Sequence, residues 1–205
     1  MMNIQSIITH LPVHHQAEVA ELAVRYGMPR HRHVVLADGV FDPLIKTDRV
    51  GEVGMVVRRR DGGILVARKT YYPPAIFRLL TGGVGPVERI ASALEREVAE
   101  ETSLTVQISR FLSVITYATL DLTPRRFVSY VFLLDEIGGT LHVADPAEQV
   151  AEMRTVLPSE LPALAARLRQ LSDRTDPAIS GKWASWGQFR AVMHEEVGAL
   201  LATST

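Results

Sequence analysis

The chain of 205 residues contains no cysteine. This absence excludes a disulfide framework, a metal site built on thiolates and a cysteine nucleophile. The sequence also lacks any apolar run of the roughly 18 residues that a membrane-spanning helix needs, and its opening segment carries no basic leader. We therefore expect a cytoplasmic protein with no membrane partner.

An excess of charge of one sign is missing as well. The sequence has 22 Lys and Arg residues against 23 Asp and Glu residues, a formal net charge of −1. Such a balance provides no basic field to attract nucleic acid. Residues 156–205 carry equal numbers of acidic and basic side chains and only two predicted helices. This segment is a poor candidate for a DNA-reading module, and we expect no nucleic acid partner.

Periodicity and turn residues predict the secondary structure. Residues 13–26 place Val13, Ala17, Ala20 and Val24 at helical spacing, which predicts an amphipathic helix with these residues on its apolar stripe. Alternating, β-rich or apolar segments predict strands. Further helices are predicted at about 88–102, 161–172 and 182–202, and strands at 33–37, on both sides of an Asp61-Gly62-Gly63 hairpin turn, and at 76–80, 104–118, 127–134 and 152–157.

Strand pairs that alternate with helices indicate a mixed α/β sheet covered on both faces. Turn signals at Thr123-Pro124 and Gly138-Gly139 separate the later strands, and residues 81–86 are glycine-rich and predicted to form a loop. We predict a core domain at 33–157, with helical extensions at 1–32 and 158–205.

The predicted helix at 88–102 carries an unusual group of charges. Glu97, Glu100 and Glu101 lie three and four residues apart, so their carboxylates share one side of the helix. Like charges at this spacing repel one another, which predicts a bound cation between them. Carboxylates favour hard cations such as Mg²⁺, Mn²⁺ or Ca²⁺. Arg96 is suited to hold Glu88 or Glu97 by a bidentate pair.

The run from Gly82 to Leu104, GGVGPVERIASALEREVAEETSL, resembles the Nudix box, GX5EX7REUXEEXGU, where U is aliphatic. Every fixed position matches except the last glycine, which is Ser103 here. The resemblance implies a Nudix-type α/β/α sandwich. It also implies hydrolysis of a pyrophosphate linkage, with Mg²⁺ or Mn²⁺, in a nucleoside diphosphate linked to another moiety.

The resemblance also assigns residue roles. It implies Glu97, Glu100 and Glu101 as metal ligands, Glu97 also as a candidate base, and Glu88 and Arg96 as supporting residues. Family members often recruit a further carboxylate from a loop after the box. Glu148 is our candidate for that catalytic acid, with Glu152 and an ordinary solvated loop acid as alternatives.

Substrate choice is left open by the sequence. A proline about 15 residues beyond the box marks ADP-ribose enzymes in the family, but the nearest proline is Pro124. The tyrosine of dinucleoside polyphosphate enzymes is not in register either. Tyr72 and its neighbour Tyr71 are candidates to stack on a base, and Arg78 is a candidate phosphate contact. In the alternative interpretation, the two tyrosines pack against a turn and Arg78 is an exposed residue on a strand.

Two glycines of the box region, Gly82 and Gly83, are expected to let a substrate approach the backbone closely. Trp183 and Trp186, three residues apart in the last predicted helix, indicate core or dimer packing. The sequence is therefore compatible with a homodimer. The alternative functions are a catalytically silent nucleotide sensor, and an interaction protein that keeps the box only as scaffold.

Overall fold

The computed structural model describes residues 4–120 and 127–203. Its helices are α1 (Ile4–Ile8), α2 (Val13–Tyr26), α3 (Ile90–Thr102), α4 (Leu161–Arg169) and α5 (Trp183–Ala202). Its strands are β1 (Arg30–Leu36), β2 (Gly51–Arg58), β3 (Ile64–Lys69), β4 (Arg78–Val84), β5 (Leu104–Thr119), β6 (Phe127–Gly139), β7 (Val150–Val156), β8 (Thr175–Asp176) and β9 (Gly181–Lys182).

Seven strands form one mixed sheet in the order β1-β5-β6-β2-β4-β3-β7. The β1–β5 and β2–β6 pairs are parallel, and the other neighbours are antiparallel. Strand β2 is the central strand, with β6 parallel to it on one side and β4 antiparallel on the other. Strands β8 and β9 form a separate small pair.

Alternation along the strands sends side chains into two cores. Val53, Met55 and Val57 of β2 pack with α1, α2 and α3, whereas Val56 packs with the side that α4 and α5 cover. Both faces of the sheet are therefore covered by helices. The predicted α/β/α sandwich with a mixed sheet is confirmed.

The stripe predicted for α2 is wrong, although the helix has the predicted bounds. Val13 and Val24 are 83% and 90% exposed, while Glu18 and His15 are buried. Glu18 accepts hydrogen bonds from the backbone nitrogens of Ile90 (2.9 Å) and Ala91 (3.1 Å), at the start of α3. Glu18 is buried because it satisfies otherwise unpaired amides at the start of another helix, and His15 bonds the Tyr130 hydroxyl and the Glu88 carbonyl oxygen.

The predictions of a strand at 76–80 and of a loop at 81–86 were also wrong in their bounds. Strand β4 continues to Val84, and Gly82 and Gly83 pair with Val53 and Glu52 of β2. Glycines have a low intrinsic preference for strands, which is why the sequence favoured a loop. Pairing with the central strand overrides that preference.

The Asp61-Gly62-Gly63 turn is present, but β2 and β3 pair only beside it, at Arg58 and Ile64. Further along, β4 lies between them and pairs with both. The expected hairpin therefore opens into a three-strand arrangement. Other predicted elements are present with ends shifted by a few residues, while α1 was not predicted. The predicted Thr123-Pro124 turn lies outside the described residues.

Ser103 ends α3 in the left-handed conformation, with φ of 54°. This is the conformation that the glycine of the box favours at a helix C-terminus. Its amide still donates to the carbonyl oxygen of Ala99 at 3.2 Å. Serine therefore preserves the turn that leads from α3 into β5, at a cost of on the order of 1 kcal/mol.

Candidate functional site

Arg96 of α3 connects the helix to the strand and turn before it. Its Nε and Nη2 donate to the two carboxylate oxygens of Glu88 at 3.0 and 3.2 Å, and Nη2 also donates to the carbonyl oxygen of Gly83 at 3.0 Å. Glu88 in turn accepts from the amide of Gly85 at 3.0 Å. Burial raises the pKa of Glu88, but these donors outweigh it and hold that pKa below its usual range.

The same guanidinium also reaches the acidic face of α3. Its Nη1 donates to Glu97 at 2.8 Å and to Glu100 at 3.1 Å. Glu97 is buried, and burial raises its pKa despite the Arg96 pair. Arg96 thus fixes one oxygen of each carboxylate and reduces the repulsion between them.

Glu148 completes the acidic group from outside the helix. It ends a short 3-10 turn, Pro146–Glu148, that begins with Asp145 accepting from the amide of Ala147 at 2.8 Å. The amides of Ala144 and Asp145 donate to the carbonyl oxygen of Glu100, which ties this loop to the end of α3. The loop position of Glu148 is therefore set by backbone contacts with the box helix.

One carboxylate oxygen from each of Glu97, Glu100 and Glu148 lies within 4.8 Å of the others. Among residues 4–120 and 127–203 this is the only group of three or more acidic or histidine side chains that approach one another so closely. Carboxylates at this separation can share one divalent cation. The predicted metal ligands were Glu97, Glu100 and Glu101, and the family resemblance offered Glu148 as a further catalytic acid; the group contains Glu97, Glu100 and Glu148.

Glu101 has a different neighbour. Its Oε1 accepts from the Lys69 ammonium at 2.8 Å, and Lys69 also donates to Glu148 at 2.6 Å. Burial raises the pKa of Glu101 to about 7, although Lys69 and Arg78 oppose the shift. Glu101 Oε2 is buried and has no donor as a carboxylate. Its predicted role as a metal ligand stays a prediction.

Lys69 also affects Glu148. Burial raises the pKa of Glu148, but the hydrogen bond and charge of Lys69 hold it below its usual range. Glu152, the alternative loop acid, lies on β7 and pairs with Arg68 at 3.4 Å. It does not line the cavity that Glu97 and Glu148 line.

Two members of the acidic group, Glu97 and Glu148, line a cavity of about 730 Å³. Gly82 and Gly83, both predicted to approach a substrate, form part of its wall together with Glu97 and Arg96. A β-carbon on Gly83 would lie 2.9 Å from Arg49 Nη1, so Arg49 extends across this strand. Basic side chains line much of the remaining wall, namely Lys46, Arg49, Lys69, Arg78 and Arg190.

Tyr72 and Arg78, which the sequence predicted to contact the substrate, both line the cavity but are largely buried. Arg78 donates to the Tyr72 hydroxyl at 2.6 Å and to Thr81 Oγ1 at 2.8 Å, so much of its donor capacity is used within the wall. Tyr71 is 38% exposed. It offers more ring surface to a ligand than Tyr72 does, and their roles stay predictions.

The C-terminal helix α5 also contributes to the cavity. Trp186 and Arg190 of α5 line it, and Arg190 forms a buried ion pair with Glu52 of β2 at 2.7 Å. Trp183 and Trp186 are in the core, as predicted. Sequence reasoning missed the Glu52–Arg190 pair, although a single glutamate in the apolar run of β2 was a usable signal.

Arg49 and Lys69 were also missed. Neither residue belongs to a periodic pattern or to the box, so the sequence carried no signal for either. Among the described residues, no helix is long and apolar enough to cross a membrane.

Comparisons with known proteins show which sequences and folds the chain resembles. One curated relative is the ADP-ribose pyrophosphatase of Methanocaldococcus jannaschii, 34% identical over 95 residues, which are 46% of this chain and 55% of that protein. The match thus spans about half of the relative's length.

Solved structures resemble the chain at lower identity. A MutT protein from Methanosarcina mazei Go1 is 16% identical, with coverage of 78% and 99% of the two chains and a TM-score of 0.47. A MutT NUDIX hydrolase from Burkholderia pseudomallei is 22% identical, with coverage of 73% and 98% and a TM-score of 0.43.

The NUDIX domain matches residues 48–177, which is more than half of the chain and includes the whole box and Glu148. The family resemblance seen in the sequence is thereby confirmed, and the chain belongs to the NUDIX domain family.

Proposed function

We propose that this NUDIX-domain chain is a metal-dependent pyrophosphohydrolase that acts on a nucleoside diphosphate linked to another moiety. The observation that carries the proposal is the approach of Glu97, Glu100 and Glu148 to within 4.8 Å of one another, two of which, Glu97 and Glu148, line a cavity of about 730 Å³. An acidic group beside a mainly basic wall suits a divalent cation together with a phosphate chain.

The donor set fits Mg²⁺ or Mn²⁺. Glu97, Glu100 and Glu148 supply hard oxygen atoms from a helix and a loop tied to it. When bound, the cation neutralises phosphate charge and lowers the pKa of a coordinated water. Glu101 is a further candidate ligand, because its Oε2 has no donor while it is ionised.

The chain's own residues supply the rest of the mechanism. Arg96 orients Glu97 and Glu100 through fixed hydrogen bonds, and Arg49 extends its guanidinium over Gly83, where phosphate oxygens would lie. A water oxygen attacks phosphorus, the bridging P–O bond breaks, and the water proton passes to a carboxylate. Burial raises the pKa of Glu97, which makes it the stronger base; Glu148 is the alternative.

An ADP-ribose-like substrate or a nucleotide sugar is our first candidate, with a nucleoside triphosphate as the alternative. The curated relative's name is ADP-ribose pyrophosphatase, and the half-exposed ring of Tyr71 at the cavity is suited to stack on a base. The cavity volume falls within the range typical of small-molecule sites.

A product-resolved hydrolysis panel tests the proposal. It covers ADP-ribose, NADH, sugar nucleotides, nucleoside triphosphates, diadenosine polyphosphates and coenzyme A, with Mg²⁺ or Mn²⁺ and with a chelator. We expect one compound to be hydrolysed, and E97Q to lower that rate by several orders of magnitude because it removes one charge at constant shape. E152Q is the matched control, since Glu152 does not line the cavity.

Equal turnover by wild type and E97Q would contradict the proposed site. Saturable nucleotide binding without turnover by the folded protein would favour the sensor alternative. A cytoplasmic location, a homodimer and the division into 1–32, 33–157 and 158–205 stay predictions, which fractionation, sedimentation and truncation can test.

A further inference from the structure

Three histidine rings meet at β1, the edge strand of the sheet. The ring of His10, in the turn between α1 and α2, stacks on that of His31 with centroids 5.6 Å apart and lies 6.4 Å from that of His33. His31 and His33 are two residues apart in β1, so their side chains leave the same face of the strand. Arg30 and Arg32, which alternate with them, pair with glutamates of α5. None of the three histidines lines the cavity of the proposed function.

Thr116 of β5 orients the two histidines of the strand. Its Oγ1 lies 3.1 Å from His31 Nε2 and 3.0 Å from His33 Nδ1. A hydroxyl oxygen has two lone pairs and can accept a hydrogen bond from both rings. Histidines that bind a metal donate their second N–H to an acceptor of this kind, which fixes the ring and directs the lone pair of the other nitrogen to the ion. Thr116 thus leaves one nitrogen of each ring available.

His10 offers a third imidazole from a backbone that is held in place. Its amide donates to the carbonyl oxygen of Ile7 at 3.2 Å, and both Ile7 and Leu11 are buried. The His10 side chain is exposed and forms no hydrogen bond or ion pair with the described part of the chain, so its ring can turn. Burial, with His10 and His33 nearby, lowers the pKa of His31, which favours the neutral form that binds metals.

A zinc ion shared by these rings requires only a small movement. In a tetrahedral site with Zn–N distances of about 2.0–2.1 Å, two imidazole centroids lie about 5 Å apart, compared with 5.6 and 6.4 Å here. Without an ion, the ring nitrogens do not all lie within the 4.8 Å that separates the oxygens of the acidic group. Binding therefore draws the exposed His10 ring toward β1.

We propose that His10, His31 and His33 form a second metal site, which binds Zn²⁺ and joins the turn after α1 to the edge of the sheet. Imidazole suits Zn²⁺, whereas carboxylates suit Mg²⁺ and Mn²⁺, so the two sites favour different ions. A water molecule completes the tetrahedral set. All three histidines lie outside residues 48–177, which match the NUDIX domain. The site is independent of the proposed hydrolase activity.

Titration with Zn²⁺ in excess Mg²⁺ tests the proposal, because Mg²⁺ competes for carboxylates and only poorly for imidazole. Calorimetry should give one Zn²⁺ per wild-type chain. T116V removes the shared hydroxyl at nearly constant shape and should weaken binding by about 10- to 100-fold, the range for partners that orient metal ligands. H31Q removes a ligand and should weaken binding further. H142Q, which removes an exposed histidine outside the cluster, is the matched control and should bind as the wild type does.

Equal Zn²⁺ affinity in the wild type and in H31Q that circular dichroism shows to be folded would place the ion elsewhere and overturn the proposal. The absence of saturable Zn²⁺ binding to the wild type would overturn it as well.

A second measurement covers the case in which H31Q does not fold. The wild type contains seven histidines, whose ring nitrogens give separate ¹H–¹⁵N signals that through-bond experiments assign. Adding Zn²⁺ should shift the signals of His10, His31 and His33 and leave those of the buried His15 and His194 unchanged. Any pattern in which the His31 and His33 signals do not move would mean that Zn²⁺ binds at other groups, which would overturn the proposal.

Discussion

Gly82 of β4 and Glu97 of α3 approach so closely that a β-carbon on Gly82 would overlap the Glu97 carboxyl group. Gly82 is not among the glycines with positive φ, so the requirement at this position is for space. The strand therefore acts as the surface against which one acid of the proposed metal site is held.

G82A should lower hydrolysis by about 100-fold, because displacement of a catalytic group by about 1 Å has effects of this size. Turnover and Mn²⁺ affinity should fall together, since Glu97 contributes to both. G138A is the matched control in strand β6, where a new β-carbon would meet Thr105 at an ordinary 3.6 Å. Wild-type turnover in G82A would mean that Glu97 can shift without consequence.

R96K should reduce turnover by about 10- to 100-fold, the range found for residues that orient metal ligands. Lysine keeps the charge but cannot reproduce the paired donors that reach Glu88, Glu97 and Gly83 together. Because the Arg96 side chain is 40% exposed, the free energy of unfolding should fall by less than about 1 kcal/mol.

Steady-state kinetics and urea unfolding check both expectations for R96K. R89K, at the N-terminus of the same helix, is the matched control because Arg89 pairs only loosely with Glu18 and Glu21 at 3.4 Å. If the fall in turnover matched the fraction of R96K that is unfolded, Arg96 would have a structural role alone.

R190M should lower the free energy of unfolding by about 3–5 kcal/mol, because it leaves Glu52 as a buried charge without its cationic partner. The double variant E52L/R190M should recover much of that loss, since neither charge then remains. R58M, at the end of the same strand β2, is the control. Its pair with Asp135 has side chains 41% and 35% exposed, so we expect less than about 1 kcal/mol. Urea unfolding measures all three.

His194 should make stability depend on pH. Its Nδ1 donates to the Arg190 carbonyl oxygen at 2.8 Å, and its Nε2 accepts from the Leu79 amide at 2.9 Å, which fixes the neutral tautomer. Burial, with Arg78 and Arg190 nearby, lowers its pKa to about 4, while the nearby Glu195 opposes this. The unfolded chain binds a proton at about pH 6.5, so the stabilising contribution is lost as pH falls from about 6.5 to 4.

The measurement is the free energy of unfolding of wild type and H194Q from pH 7 to pH 4. The advantage of the wild type should shrink by on the order of 3 kcal/mol over this range. H142Q, which removes an exposed histidine, should run parallel to the wild type. Parallel curves for H194Q and wild type would show that His194 is not held neutral.

The charges of the box could be predicted from the sequence because they depend on spacing within one helix. Residues three and four apart share a side of the helix, and this placed Glu97 and Glu100 together. The bidentate pair of Arg96 was predicted with either Glu88 or Glu97, and it forms with Glu88. Glu148 could be proposed only through the family resemblance, since its position depends on a loop tied to the end of α3.

The remaining site residues depend on contacts between distant segments. Lys69 meets Glu101 only because β3 lies beside the box helix, and no local pattern encodes that contact. The orientation of α2 was mispredicted for the same reason: Glu18 is buried by its bonds to Ile90 and Ala91, which lie more than 70 residues away. Local periodicity weighs apolar side chains and cannot see a distant amide that needs an acceptor.

The position of Trp186 has a consequence for how specificity can change. This residue and Ala178 line the cavity from the C-terminal segment, whereas Glu97 and Arg96 line it from α3. The wall residues Ala178 and Trp186 and the wall residues Arg96 and Glu97 are thus encoded about 80 to 90 residues apart. Substitutions in the C-terminal segment can reshape the binding space while the acidic helix stays intact, so new substrates are within reach of mutations that leave the reaction chemistry alone.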